Sequence, residues 1–200
     1  MAGTPSRDPS GVALIVGLGN PGAEYIASRH NAGYWFVDAV AARHHGAFRT
    51  ETRFHGAACR VDVDGSPVRL LKPTTFMNRS GLAVVALAGY FRIPPDQILV
   101  VHDDLDFPPG TVRLKSGGGA GGHNGVADVT RALGTDGYRR LRIGIGRPAG
   151  RAGGVDYVLG RPSAPDREAI ERAIDEALEV LPLMVGGDWE RATQHLHSTA

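Results

Sequence analysis

The 200-residue chain has a single cysteine, Cys59, so it forms no disulfide within itself. Lysine is nearly absent: of 22 basic residues only Lys72 and Lys115 are lysine. Such an arginine bias follows from genome base composition as readily as from phosphate recognition, so arginine number alone says little about function. Long apolar runs are missing too. The uncharged, strongly apolar stretch of residues 81–91 has eleven residues, where a membrane-spanning helix needs roughly twenty. Residues 1–10 lack the apolar segment of a secretory signal, which makes the cytoplasm the expected location and a membrane partner unexpected. Neither sign of charge dominates: 22 basic residues stand against 21 acidic ones, a formal +1. A polyanionic partner therefore has to be held by a local basic face.

What is present is an ordinary globular composition, 42% apolar and 22% charged, enough to bury a core in one domain. The 28 glycines and 13 prolines follow no period and imply tight loops on a compact scaffold. Residues 12–16 read as a buried strand running into Gly17-Leu18-Gly19-Asn20-Pro21-Gly22. Asn31 is placed to cap a helix that ends at Gly46, with His30 just outside its N-terminus. Residues 54–63 and 68–71 flank Asp64-Gly65-Ser66-Pro67 as a hairpin. A helix opening at Asn78 or Ser80 runs to Tyr90 and is stopped by Pro94 and Pro95. Residues 98–101 form a strand leading into His102-Asp103-Asp104-Leu105-Asp106, and residues 111–114 another that enters the glycine tract 117–122. A helix from His123 or Asn124 to Leu133, a one-sided strand over 140–145 and an amphipathic helix over 163–185, kinked or ended by Pro182, complete the series. Strands interleaved with helices, plus one hairpin, predict a single α/β domain over residues 12–200: a twisted mixed β-sheet flanked by helices, behind a flexible extension of residues 1–11.

Charge is segregated along the chain. Residues 111–151 carry eight basic side chains against Asp128 and Asp136, a local +6, while residues 152–200 carry four basic and nine acidic ones. This pattern fits one anion-binding face and one repelling face, or two solvated surfaces. The motif Gly17-x-Gly19-x-x-Gly22 follows a strand as a dinucleotide fingerprint does, yet Pro21 removes an amide donor and the next helix begins only near Asn31, which argues against a nucleotide cofactor. The position of His30 before a helix disfavours the imidazolium and suits a general base, the alternative being a surface histidine bonded to its own loop. Asp103 and Asp104, immediately after a buried strand, are placed to orient such a base; with Asp106 they form either a cation site or a solvated acidic loop. Asn20, Asn78 and Asn124 offer uncharged donors and acceptors suited to a peptide backbone or a water, and Asn78 and Asn124 also suit helix caps. Ser80 and Ser116 sit in no nucleophile elbow. His195 and His197 lack zinc-type spacing and read as tail residues.

Taken together, Gly17-Leu18-Gly19-Asn20-Pro21-Gly22, Arg29-His30-Asn31-Ala32-Gly33, Lys72-Pro73-Thr74-Thr75-Phe76-Met77-Asn78, His102-Asp103-Asp104-Leu105-Asp106 and Gly121-Gly122-His123-Asn124-Gly125 resemble the bacterial-type peptidyl-tRNA hydrolases in order and spacing, over about residues 12–197. The resemblance implies a monomeric α/β enzyme, without cofactor, metal or obligate protein partner, that hydrolyses the ester joining a peptide to the 3′ ribose of tRNA. It implies that His30 activates water, that Asp103 orients it, and that Asn20 distinguishes a blocked from a free amino group. It further implies that Asn78 and Asn124 hold the peptide and the attacking water, with Met77 beside them, and that Tyr25 and Phe76 line the stacking site. Lys115 and Arg142 match positions that clamp the tRNA 5′ phosphate. A competing reading is a non-catalytic RNA-binding protein on the same scaffold, which the intact His30, Asp103 and Asn20 argue against.

Overall fold

The computed structural model describes residues 11–148 and 154–198. Seven strands, β1 (Leu14–Gly17), β2 (Arg49–Glu51), β3 (Gly56–Val63), β4 (Ser66–Pro73), β5 (Ile98–Asp104), β6 (Val112–Ser116) and β7 (Arg139–Gly144), form one sheet in the order β2-β3-β4-β1-β5-β7-β6. β1 runs parallel to both β4 and β5, and β5 parallel to β7; the three outer pairings are antiparallel. The helices are α1 (Ala32–Arg43), α2 (Ser80–Phe91), α3 (Asn124–Leu133), α4 (Gly154–Leu159), α5 (Ala164–Glu179), α6 (Leu181–Gly186) and α7 (Trp189–Ser198). Alternation along the central strands divides the core. Ile15, Leu99, Val101 and Leu141 face Phe36, Val37, Ile174 and Leu178 of α1 and α5. Leu14, Val16, Ile98 and Val100 face Val84, Leu87, Val126 and Val129 of α2 and α3. The expected single mixed α/β sheet flanked by helices is the observed fold.

Several local readings change. The hairpin turn contracts to Asp64 and Gly65, both left-handed (φ 50° and 81°), so β4 already begins at Ser66. α2 ends before the prolines, because Arg92 adopts a left-handed cap (φ 54°). The single helix expected over 163–185 divides at Val180, and Pro182 sits in the first turn of α6, where its missing N–H costs nothing. The C-terminal histidines are not an unstructured tail. α7 packs beside the edge strand β6, and His197 Nε2 accepts the Leu114 N–H at 3.1 Å, satisfying a backbone donor that an edge strand otherwise leaves open. Residues 1–10, most of the proposed extension, and residues 149–153 lie outside the described residues.

One close approach positions everything that follows. β1 lies between β4 and β5 at the point where strand order reverses, and a crevice opens there at the carboxyl ends of the parallel strands. α1 starts directly across that crevice. A Cβ on Gly17 would collide with the Gly33 carbonyl, and one on Gly33 with the Val101 carbonyl and the Leu18 nitrogen. Gly19 is pressed in turn against the Tyr34 ring. The glycines of the first loop thus serve packing of α1 against the sheet, and the space a pyrophosphate would need is filled by the chain itself. Gly33→Ala is expected to lower unfolding free energy by about 1–3 kcal/mol through overpacking. Gly89→Ala in α2, where a Cβ meets nothing within 4 Å, is expected to raise it by about 0.5–1 kcal/mol. Urea unfolding midpoints of the two variants check this opposition of sign.

Candidate active site

The turn Arg29–Asn31, directly before α1, carries His30 to the end of β5. His30 Nδ1 lies 2.9 and 3.0 Å from the two carboxylate oxygens of Asp103, a residue 2% exposed. On the other side, His123 Nε2 lies 2.9 Å from Asp103 Oδ1. The hydrogen-bond partners fix the tautomers. His123 caps α3 by accepting the Val126 N–H on Nδ1 at 3.3 Å, so its Nε2 carries the proton given to Asp103. His30 likewise donates Nδ1–H to the carboxylate and keeps Nε2 as its lone-pair nitrogen. Burial alone would raise the Asp103 pKa, but the charges and hydrogen bonds of His123 and His30 outweigh it and hold the carboxyl well below the ordinary range.

A third histidine backs the pair. His102 donates Nδ1–H to the Asp103 carbonyl at 2.8 Å and packs edge-on against His123, ring centroids 4.9 Å apart. Its Nε2 is buried without a partner among the described residues. Burial, reinforced by His123, holds its pKa well below the usual histidine value, so His102 is neutral.

The residues flanking His30 are fixed from both sides. Asn31, expected to cap α1, makes no capping bond. Its Oδ1 accepts the Asn20 N–H at 2.8 Å and its Nδ2 donates to the Asn20 carbonyl at 3.0 Å, locking the first glycine loop to the turn. Asn20 passes the constraint on, since its Oδ1 accepts the Met77 N–H at 2.7 Å. Arg29 binds the opposite side: its backbone N–H donates to Gly160, Nη1 donates to the Tyr157 carbonyl at 3.2 Å, and its guanidinium lies 4.1 Å over the Tyr157 ring. Tyr157 in turn donates its hydroxyl to the Ile145 carbonyl at 2.8 Å. The turn that carries His30 is therefore held between the glycine loop and α4.

A cavity of about 330 Å³ opens beside His30, lined by Asp103, His123, Asn124, residues 120–122 of the glycine tract and Val155 and Val158 of α4. Of the residues the sequence singled out, His30, Asp103, Asp104, Asp106 and Asn124 line it. Asn20 stands behind His30 through Asn31, while Tyr25, Phe76 (61% exposed) and Asn78 lie outside this cavity. Met77, expected among the substrate contacts, is 5% exposed and packs so tightly that a Cβ on Gly125 would strike its sulfur, and its backbone N–H donates to Asn20 Oδ1. Lys115 and Arg142 share one face of the β6–β7 ladder. Arg142, however, already pairs with Asp104 at 2.7 Å and Asp106 at 3.8 Å, so its charge is largely satisfied within the chain. The acidic loop 104–106 is thereby engaged with arginine.

Sequence reasoning did not assign His123 its bond to Asp103, nor Arg29 and Asn31 their tethers. The His123-Asn124 pair at a helix start was visible, but its juxtaposition with the end of β5 was not. His30, Asp103 and His123 are the one group of possible metal ligands among the described residues, with ligand atoms within 4.8 Å of one another. A cation there would displace both N–H protons and break the hydrogen bonds that now satisfy the carboxylate. The donor set fits the holding of a proton better than the holding of a metal.

Residues 14–200 match the family described as Peptidyl-tRNA hydrolase. A peptidyl-tRNA hydrolase of Methylococcus capsulatus is 55% identical over 93% of this chain and 99% of its own. One of Halorhodospira halophila is 51% identical over 92% and 95%. Among solved structures, the crystal structure of peptidyl-tRNA hydrolase from Acinetobacter baumannii superposes with a TM-score of 0.90 at 44% identity, covering 94% of this chain and 95% of that one.

The depressed pKa of His102 has a consequence for stability. The unfolded chain binds a proton on this residue below its ordinary value of 6.5 and the folded chain does not, so stability falls as pH drops below 6.5, by up to about 1.4 kcal/mol per pH unit for this one proton. His102→Asn, which keeps a donor for the Asp103 carbonyl, is expected to flatten the decline between pH 6.5 and 5. Denaturant titrations of both proteins at each pH measure the difference in slope.

Proposed function

The chain belongs to the peptidyl-tRNA hydrolase family, and from that premise we propose that it cleaves the ester between a peptide and the 3′ ribose of tRNA, with His30 as general base and water as nucleophile. The observation that carries this reading is the two-oxygen grip of Asp103 on His30 Nδ1, at 2.9 and 3.0 Å, which leaves Nε2 as the acceptor at the edge of a cavity. Water gives its proton to Nε2 as its oxygen attacks the ester carbonyl carbon. The same proton then passes from Nε2 to the departing 3′ oxygen, releasing tRNA with a free hydroxyl and the peptide as an acid. Asp103 is not a proton carrier in this scheme. Held as a carboxylate by His123 and His30, it stabilises the imidazolium that forms between the two transfers. α3 presents its N-terminal turn to the same cavity through His123 and Asn124, which supplies partial positive charge where the carbonyl oxygen becomes an oxyanion.

Asn124 holds the attacking water and Asn78, exposed on the turn after β4, holds the peptide. Asn20 contributes to selection for a blocked amino group. Because its Oδ1 is occupied by Met77, the part of the side chain left for substrate is the Nδ2 donor, which suits a peptide carbonyl. Tyr25 and Phe76 provide faces for the peptide or terminal nucleotide. Lys115, with no carboxylate partner among the described residues, is the principal contact to the 5′ phosphate, and Arg142 assists from its place beside Asp104. We assign the protein to the cytoplasm as a monomer. No helix among the described residues is long and apolar enough to cross a membrane.

His30→Ala is expected to lower kcat on N-acetyl-aminoacyl-tRNA by about 10²–10⁴-fold, the usual range for a lost general base, with tRNA affinity within about twofold of the parent. Lys115→Ala is expected to do the reverse, weakening binding and removing about one phosphate's contribution to its salt dependence. Single-turnover rates and filter binding over a salt series separate the two; equal loss of affinity in both variants refutes the division of roles.

A further inference from the structure

The sheet edge opposite β6 carries a second concentration of positive charge that the hydrolytic site does not use. Arg60 on β3 and Arg69 on β4 stand directly across from one another in the antiparallel ladder. Like charges so placed destabilise a sheet unless something neutralises them. Two adjoining clefts of about 300 and 390 Å³ share Arg60, Arg69 and Phe91 as lining. With Arg49, Arg53 and Arg92 they present five guanidinium groups against one carboxylate, Glu51. Glu51 lies 3.5 Å from Arg53, and among the described residues no carboxylate comes within 4.0 Å of Arg49, Arg60, Arg69 or Arg92. This is unlike the β6–β7 edge, where Arg142 is paired. Aromatic faces are interleaved with the charges. The Arg69 guanidinium lies 3.3 Å over the Phe91 ring and that of Arg53 lies 5.0 Å from Tyr90, which is itself 60% exposed.

We propose that this cleft binds the phosphodiester backbone of a second RNA molecule, distinct from the tRNA being hydrolysed. Unpaired guanidinium forks match phosphate oxygens, and an exposed tyrosine beside them offers a face on which a base stacks; an acidic peptide would use the charge and not the ring. The cleft shares no lining residue with the cavity beside His30. β3 is five strands from β6 in the sheet, about 24 Å at the ordinary strand spacing, so the two cationic edges are separate contacts. The proposal rests on the reading above only in taking Lys115 as the substrate's phosphate contact.

The test uses a fluorescent RNA hairpin without an aminoacylated end, its binding followed by anisotropy over a salt series. The proteins are the parent, the double variant Arg49→Gln/Arg60→Gln, Tyr90→Ala and Lys115→Gln. Hydrolysis of N-acetyl-aminoacyl-tRNA is measured in parallel. The double variant is expected to bind the hairpin at least tenfold more weakly and to lose about two phosphates' worth of salt dependence, with kcat/KM unchanged within twofold. Tyr90→Ala is expected to weaken the hairpin about fivefold or more, and Lys115→Gln to leave it unaltered. Unchanged hairpin binding in the double variant overturns the proposal. So does a parallel fall in kcat/KM, which would make the cleft part of the substrate's own site, or an equal loss of binding to polyglutamate with no effect of Tyr90→Ala. Absence of hydrolysis by the parent protein would count against the reaction and leave the hairpin result readable.

Discussion

Asp103 is the residue through which the two layers of the molecule meet. Its backbone belongs to β5 near the centre of the sheet, and its side chain accepts a hydrogen bond from His30, which arrives with α1 on one face, and another from His123, which opens α3 on the other. A buried carboxylate is costly unless it is hydrogen-bonded. Here the two histidines meet that cost and are oriented in return. Neither ring can turn over without leaving the carboxylate short of a donor, and His123 would also lose the cap it gives to α3. The chemistry attributed to His30 depends less on an unusual histidine than on this reciprocal fixing of tautomers.

Three consecutive residues divide the labour of holding the base. Arg29 binds α4, His30 binds Asp103 and Asn31 binds the glycine loop. Because successive side chains of a 3₁₀ turn leave it about 120° apart, one short turn reaches three separate parts of the structure. α4 contributes Val155 and Val158 to the cavity wall while Arg29 clasps Tyr157 on the same helix. That wall is thereby tied to the residue beside the base. Geometry at the reacting atom is shared between the substrate cavity and the packing of α1, which Gly17 and Gly33 bring into backbone contact with the sheet.

How far the sequence was legible follows from the range of the interactions. Strands β1 and β5 announced themselves as short apolar runs buried on both faces, helices α3 and α5 by an amphipathic period, and α1 and α2 by the Asn, Gly and Pro residues that bound them. α7 has only Ala192 and Leu196 buried, four residues apart, too sparse a stripe to separate from a polar tail, and α4 is six residues long with none buried. His30 and Asp103 were readable as candidates because each sits at an element boundary where such groups are usually exposed to a crevice. Asn31 misled for the same reason: its place before a helix is that of a cap, and only the fold reveals that Asn20, eleven residues earlier, takes both of its bonding groups. His123 required knowledge that α3 begins against the end of β5.

Charge shows the same gap between a one-dimensional count and a surface. The +6 of residues 111–151 looked like the anion-binding region, but register distributes it unequally. Arg140 is 2% exposed and its guanidinium donates to the Gly117 and Gly118 carbonyls, ordering the glycine tract. Arg142 and Arg147 are drawn to the acidic loop after β5, and Arg131 pairs with Asp128. Arg113 is bonded to the Leu196 carbonyl of α7. What remains to meet a phosphate is a small part of the nominal charge, with Lys115 chief among it. On β3 and β4 the nominal count is lower, yet the antiparallel register sets Arg60 against Arg69 with no carboxylate between them. Affinity for a polyanion follows the cations whose partners are missing, since a guanidinium already paired with a carboxylate has to break that pair before it gains anything from a phosphate. By that criterion the outer edge of this sheet is the more demanding of an anion, although nothing in the linear distribution of charge points to it.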